Sequence, residues 1–195
     1  MANKRKIANE GKFYNLEFPI SIPAVINNPI QLLKLDLDPN HRESLKNIIL
    51  DLGDEQKHSS NVKADMTSWF MHRNYQEFKQ LSIRAEVQAK TITQNAIPTR
   101  TNECWGAVYR KGDETKAHNH WGNIWSWCYY LEVPDDSPPI RFIDTFFPES
   151  KKTNDFDIYP QEDDILIFPS WFRHCVPKSE SDGLRIMVAG NIQNA

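Results

Sequence analysis

The sequence predicts an α+β protein that is mainly β: a jelly roll over the C-terminal half, with supporting helices before it. Three observations lead there. Two stretches before residue 100 carry apolar residues at helical spacing. After residue 100, short aromatic and β-branched runs alternate with Gly, Pro and Asp clusters. Five of the six tryptophans, at 105, 121, 125, 127 and 171, fall in that second half. Several short strands separated by turns are the pattern of a β sandwich or small barrel.

The elements follow in order. Residues 1–37 are irregular at first, with three prolines in "FPISIPAVINNPIQ", before "LLKLDL" alternates as a half-buried strand does. In "NHRESLKNIILDLG" the residues Leu45, Ile48, Ile49 and Leu52 share one helical face. Asn40 with Glu43 resembles a capping box, and Gly53 stands where a helix stop belongs. A second helix is predicted from about Asn74 to Gln94. Its stripe is Tyr75, Phe78, Leu81 or Ser82, Ala85, Ala89 and Ile92, and Pro98 ends the region. Strands are predicted near 104–110, 115–120, 125–133, 139–144, 164–168, 173–177 and 184–191. The 195 residues are expected to form one domain, residues 1–99 supporting a core at 100–195.

Bulk properties exclude several classes. Net charge is −3 and the only basic cluster is Lys4, Arg5 and Lys6, so nothing favours a nucleic-acid partner. No apolar run approaches the ~20 residues of a membrane span, and the basic N-terminus lacks a secretory apolar stretch. A cytoplasmic location is expected, the host cytoplasm if a phage encodes the chain. Cys104, Cys128 and Cys175 are odd in number and lack CxxC spacing, which fits reduced thiols.

The chemistry concentrates in "YRKGDETKAHNHWGNIWSWCYYL", residues 109–131. His118 and His120 are one residue apart, and residues i and i+2 of a strand point to the same face. Two imidazoles aimed at one spot suit a shared metal, whose ligands converge at about 2.0–2.2 Å. His174, in "FPSWFRHCV", is the best third ligand. Three ligands on one side of a metal leave open positions for substrate and oxygen. His41, His58 and His72 lack ligand spacing and are read as surface or helix-face residues. Asp144 is the nearby acid to test as an alternative ligand, and "PQEDD" reads as a solvated hairpin. Trp121 and Trp125 are candidates for a substrate mouth, although Trp125 suits the core equally well.

Two family patterns bear on this cluster. "GDETKAHNH" and "PSWFRH" resemble halves of the cupin motif, but the cupin glutamate after the histidine pair is absent and Trp171 replaces the second motif's glycine. More fully, "WGAVYRKGDETKAHNH", "SWCYYLEVP", "FPSWFRHCV" and "LRIMVAGN" resemble the iron- and 2-oxoglutarate-dependent oxygenases, in order and across the C-terminal half. The similarity is to a family found in bacterial and phage genomes, within the prolyl-hydroxylase-like superfamily. That resemblance implies a double-stranded β-helix.

The resemblance also implies roles. His118, His120 and His174 match the iron ligands, with His120 where the superfamily usually has a carboxylate. Arg185, eleven residues after His174, matches the basic anchor of the 2-oxoglutarate carboxylate; guanidinium suits carboxylate through a planar two-pronged contact. Tyr109 and Tyr130 match tyrosines that either bind the cosubstrate or simply fill the core. The expected cofactors are Fe(II) and 2-oxoglutarate, with O2 and an unidentified protein or small-molecule substrate as partners. Three neutral imidazoles leave the full +2 on the metal, which a 2-oxoglutarate dianion would roughly neutralise. Imidazole donors also favour copper, nickel and zinc over iron(II) by raw affinity. Protein purified without added iron is therefore expected to carry one of those metals, and elemental analysis that finds iron alone would contradict this. The rival readings are a cupin-type metalloprotein acting without 2-oxoglutarate, and a non-catalytic β-sandwich module with incidental histidines.

Overall fold

The structure is a computed structural model that describes residues 12–14, 30–53, 60–92, 98–143 and 155–195. Among these residues the chain runs β1 (Lys12–Tyr14), β2 (Ile30–Lys34), α1 (Pro39–Leu52), β3 (Val62–Lys63), β4 (Asp65–Met66), α2 (Met71–Asn74), α3 (Gln76–Ile92), β5 (Thr99–Tyr109), β6 (Glu114–His118), β7 (Trp125–Glu132), β8 (Ile140–Phe142), β9 (Phe156–Ile158), β10 (Asp164–Pro169), β11 (His174–Val176) and β12 (Arg185–Asn194). The strands form a larger sheet in the order β1-β2-β10-β7-β12-β5-β4 and a smaller one in the order β3-β6-β11-β8-β9.

Two apolar clusters explain the layering. One joins the sheets face to face, with Trp105, Ala107, Tyr130 and Met187 from the larger and Ile140, Phe142 and Val176 from the smaller. The other joins the opposite face of the larger sheet, through Val108, Trp127, Tyr129, Ile186 and Val188, to Leu45 and Ile49 of α1 and Phe78, Leu81 and Ala85 of α3. The larger sheet is thus covered on both faces. That is why β10 is buried throughout and β7 in all but its last residue, where a one-sided sheet would alternate. Among the described residues no helix is long and apolar enough to cross a membrane. The three cysteines are free thiols.

The helices depart from expectation at their ends. The cap of α1 is Asp38, not Asn40. Its carboxylate accepts the backbone N–H groups of Asn40 at 2.9 Å and His41 at 3.2 Å. Pro39 sets the boundary, because its fixed φ suits the first helical position and its missing N–H is one that needs no partner there. Gly53 ends α1 at φ 61°. The predicted helix from Asn74 is broken at Tyr75, which is extended and separates α2 from α3. The predicted stripe of α3 is buried at Phe78, Leu81, Ser82, Ala85 and Ala89.

The "PQEDD" segment is not a solvated hairpin. Asp163, at φ 63°, accepts the backbone N–H groups of Asp36 at 2.9 Å and Leu37 at 3.2 Å, and the Tyr129 hydroxyl at 2.6 Å. Asp164 is buried and pairs with Lys34 at 3.0 Å. The two acids fasten the segment around β2 to the sheet.

One close approach makes a stability prediction. Gly190 of β12 lies against the buried Trp127 ring, and a Cβ there would fall 2.6 Å from Cε2 and Cζ2. Gly190→Ala overpacks the site and is expected to cost about 1–3 kcal/mol. Urea denaturation should show a lower midpoint; an unchanged midpoint would contradict the packing.

Candidate metal centre and anion pocket

His118 is the last residue of β6 and His174 the first of β11, and the antiparallel register sets them opposite one another. His120 lies beyond the strand, not within the extended segment predicted for residues 115–120. Its backbone N–H donates to the Ser170 carbonyl at 2.8 Å, and its carbonyl accepts from Asn123 at 3.2 Å. Gly122, at φ 95°, allows the tight turn. The bond to Ser170 and this turn fix the backbone that carries the third ring.

The rings converge. Centroids are 4.5 Å apart for His118 and His174, 4.8 Å for His118 and His120, and 5.3 Å for His120 and His174. One ligand atom of each residue lies within 4.8 Å of the others, a group that could hold a metal ion. His118 Nδ1 faces the Lys116 carbonyl at 2.8 Å, and His174 Nδ1 faces the Phe172 carbonyl at 2.9 Å. A carbonyl only accepts, so both rings carry their proton on Nδ1 and leave an Nε2 lone pair free. Such a donor set fits a divalent transition metal.

Burial disfavours the charged form of all three imidazoles. Burial lowers the His118 pKa, partly offset by its bond to the Lys116 backbone. Burial, then the nearby His118, pushes His120 down to about 3. Burial, then His118 and His120, holds His174 well below the ordinary range. Above about pH 6.5, where an unfolded histidine titrates, both states are neutral and nothing is gained or lost. Below it the unfolded chain takes up protons that the folded chain refuses, so the metal-free fold loses stability as pH falls toward about 3. Thermal midpoints of metal-free protein should therefore fall across this window, and less steeply in His120→Gln. Equal slopes would contradict the assignment.

Arg185 opens β12 and pairs in register with Tyr109. It is 3% exposed. Its guanidinium donates to the Pro138 carbonyl at 2.8 Å and toward the Tyr130 hydroxyl at 3.4 Å, and lies over the Tyr130 and Tyr109 rings at 5.0 and 5.5 Å. Its Nε is buried without a partner, and among the described residues no carboxylate pairs with it. A buried cation with an orphaned donor is costly unless an anion completes it. The residues present therefore fit a carboxylate ligand.

One cavity takes in the three histidines, Arg185, Tyr109 and Tyr130. The tyrosines differ in role. The Tyr109 hydroxyl is engaged by Thr115 at 2.6 Å, whereas Tyr130 is the one beside the guanidinium. Burial raises the pKa of both phenols and pushes the Cys128 thiol, also in the cavity, up to about 12. Trp121 is 76% exposed, while Trp125 is buried in the helix-side core and is no part of a mouth. Asp144 and His58 lie outside the described residues. His41 binds the Glu77 carbonyl through Nε2 at 2.9 Å, away from the cluster.

Sequence reasoning gave no role to Asn191, whose amide faces His120, or to Glu103 and Ser126, which bond that amide. A signal was present: alternation along β12 from Arg185 through Met187 and Ala189 puts Asn191 on the same inner face.

Residues 103–191 match the family described as "Putative 2OG-Fe(II) oxygenase". No curated protein sequence matches the chain. Among solved structures, HygX from Streptomyces hygroscopicus, with nickel, 2-oxoglutarate and hygromycin B bound, is similar at TM-score 0.67 and 11% identity, over 85% of this chain and 83% of that one. A Pseudomonas putida prolyl-4-hydroxylase is similar at TM-score 0.63 and 13% identity, over 85% and 92%. The viral collagen prolyl hydroxylase of Paramecium Bursaria Chlorella virus-1, a 2-oxoglutarate complex, is similar at TM-score 0.62 and 14% identity, over 85% and 96%. At such identities these likenesses establish the double-stranded β-helix fold. The family match covers residues 103–191, the segment that carries the three histidines and Arg185.

Proposed function

We propose that the chain hydroxylates a second substrate, using iron(II) held by His118, His120 and His174 and 2-oxoglutarate anchored by Arg185. The observation that carries the reading is the buried Arg185 guanidinium, with an orphaned Nε, in the same cavity as three convergent imidazoles. A cupin-like site or an inert β sandwich gives that cation no purpose. Two of the similar structures are prolyl hydroxylases, which supports hydroxylation as the outcome.

Each residue then has a task. The three neutral imidazoles supply lone pairs and no charge, so the dianionic cosubstrate balances the metal. Arg185 meets the far carboxylate through its unpartnered Nε. The Tyr130 hydroxyl accepts from Arg185 and stands beside the place of the same carboxylate. Tyr109, tied to Thr115, forms a wall instead. Trp105, Phe168 and Met187 line the remainder and exclude water. Bound iron(II) supplies the oxygen chemistry, in which 2-oxoglutarate loses CO2 to become succinate while one oxygen atom goes to the substrate.

The test is succinate release from 2-oxoglutarate in air by iron-loaded protein without a second substrate. Slow release that depends on iron and on Arg185 is expected. Release at the rate of free iron(II) in the same buffer would overturn the reading.

A further inference from the structure

Asn191 is wholly buried at the end of the β12 inner face. The sheet register sets it directly beside Glu103 of β5 on one side and Ser126 of β7 on the other. Its amide is held from both neighbours: Oδ1 accepts the Ser126 hydroxyl at 2.8 Å, and Nδ2 donates to Glu103 Oε2 at 2.8 Å. Ser170 extends the row, its hydroxyl 3.0 Å from that of Ser126. A carboxylate only accepts, so Glu103 fixes which end of the amide is nitrogen. That nitrogen also faces His120 Nδ1, at a long 3.4 Å.

The consequence separates His120 from its partners. His118 and His174 each meet a backbone carbonyl at Nδ1 and carry the proton there. His120 meets an N–H donor at Nδ1, so its lone pair sits there and its proton on Nε2. To offer Nε2 to a metal, its proton must move to Nδ1, against the Asn191 N–H. The amide cannot turn to accept that proton while Glu103 stands beside it, because Oδ1 would then oppose a carboxylate.

We infer that Asn191, oriented by Glu103, is a positioning residue that holds His120 in the tautomer opposite to that of His118 and His174, making His120 the exchangeable arm of the triad. This rests on the proposed metal role of the three histidines, but the tautomer itself does not. The chain binds its metal first through two preset imidazoles, and the third closes only when the row of hydrogen bonds from Glu103 to Ser170 rearranges.

The experiment uses metal-free full-length protein labelled with 15N-histidine, with His120 assigned by its absence in His120→Gln. The wild type is expected to show Nε2–H at His120 and Nδ1–H at His118 and His174. Glu103→Ala and Glu103→Gln free the amide to turn; both should move His120 alone toward Nδ1–H. Outer partners shift metal affinity by about 10–100-fold, and cobalt(II) titration of these variants is expected to give about tenfold tighter binding. Mere loss of a nearby negative charge would weaken cation binding, so the direction discriminates. Nδ1–H at His120 in the wild type, or cobalt affinity unchanged or weakened in both variants, would overturn the inference. Wild-type protein that binds no cobalt would instead overturn the metal reading and leave the tautomer result standing.

Discussion

His174→Ala is expected to remove metal binding. His174 is the most deeply buried of the three histidines and sits across the β6–β11 pairing from His118. Its loss leaves two imidazoles, of which His120 is not preset. The affinity should fall by at least about 100-fold, the upper end of what losing a mere outer partner does. His174 also packs on Phe168, with ring centroids 4.8 Å apart, so alanine leaves a hole and the fold loses stability as well. His118→Ala separates the two effects: it is less buried, should melt close to the wild type, and should lose the metal equally. Equilibrium titration with cobalt(II) reads both variants. Retention of wild-type affinity by either would remove the metal centre as described.

Arg185→Ala is expected to leave the metal in place and remove the cosubstrate. Truncating one partner of a buried, hydrogen-bonded charge pair costs about 2–5 kcal/mol, or roughly 30- to 5,000-fold in affinity. The Michaelis constant for 2-oxoglutarate should rise accordingly, with cobalt affinity unchanged. Arg185→Met adds a second readout. Without cosubstrate the guanidinium is an incompletely paired buried cation, so an apolar side chain of similar length should not lower the thermal midpoint of the free protein. A strongly destabilised Arg185→Met whose 2-oxoglutarate affinity is intact would mark Arg185 as structural.

Much of this was legible before the fold was known, for identifiable reasons. The three histidines and Arg185 could be picked out because their signals are local: the one-residue spacing of His118 and His120, and the short stretches "FPSWFRHCV" and "LRIMVAGN" that carry His174 and Arg185. The stripe of α3 showed because it packs on one face only. The short strands β3, β4 and β9 have two or three residues each, too few to show a period. The ends of β5 and β12 were missed because Thr99 to Glu103 and Gln193 to Asn194 are polar and show no apolar alternation. His120 was read as a strand residue because alternation is the simplest way to aim two side chains together; the strand itself ends at His118, before the turn at Gly122. The row of Glu103, Asn191 and Ser126 joins three strands far apart in sequence. Only the pairing reveals it.

The most direct test of the central claim is an anaerobic titration of iron(II)-loaded protein with 2-oxoglutarate, read by visible absorption. The account predicts a weak charge-transfer band that saturates with the cosubstrate, is absent without iron, and is lost in Arg185→Ala at the same concentrations. Protein that binds iron(II) yet gives no band at saturating 2-oxoglutarate would contradict it.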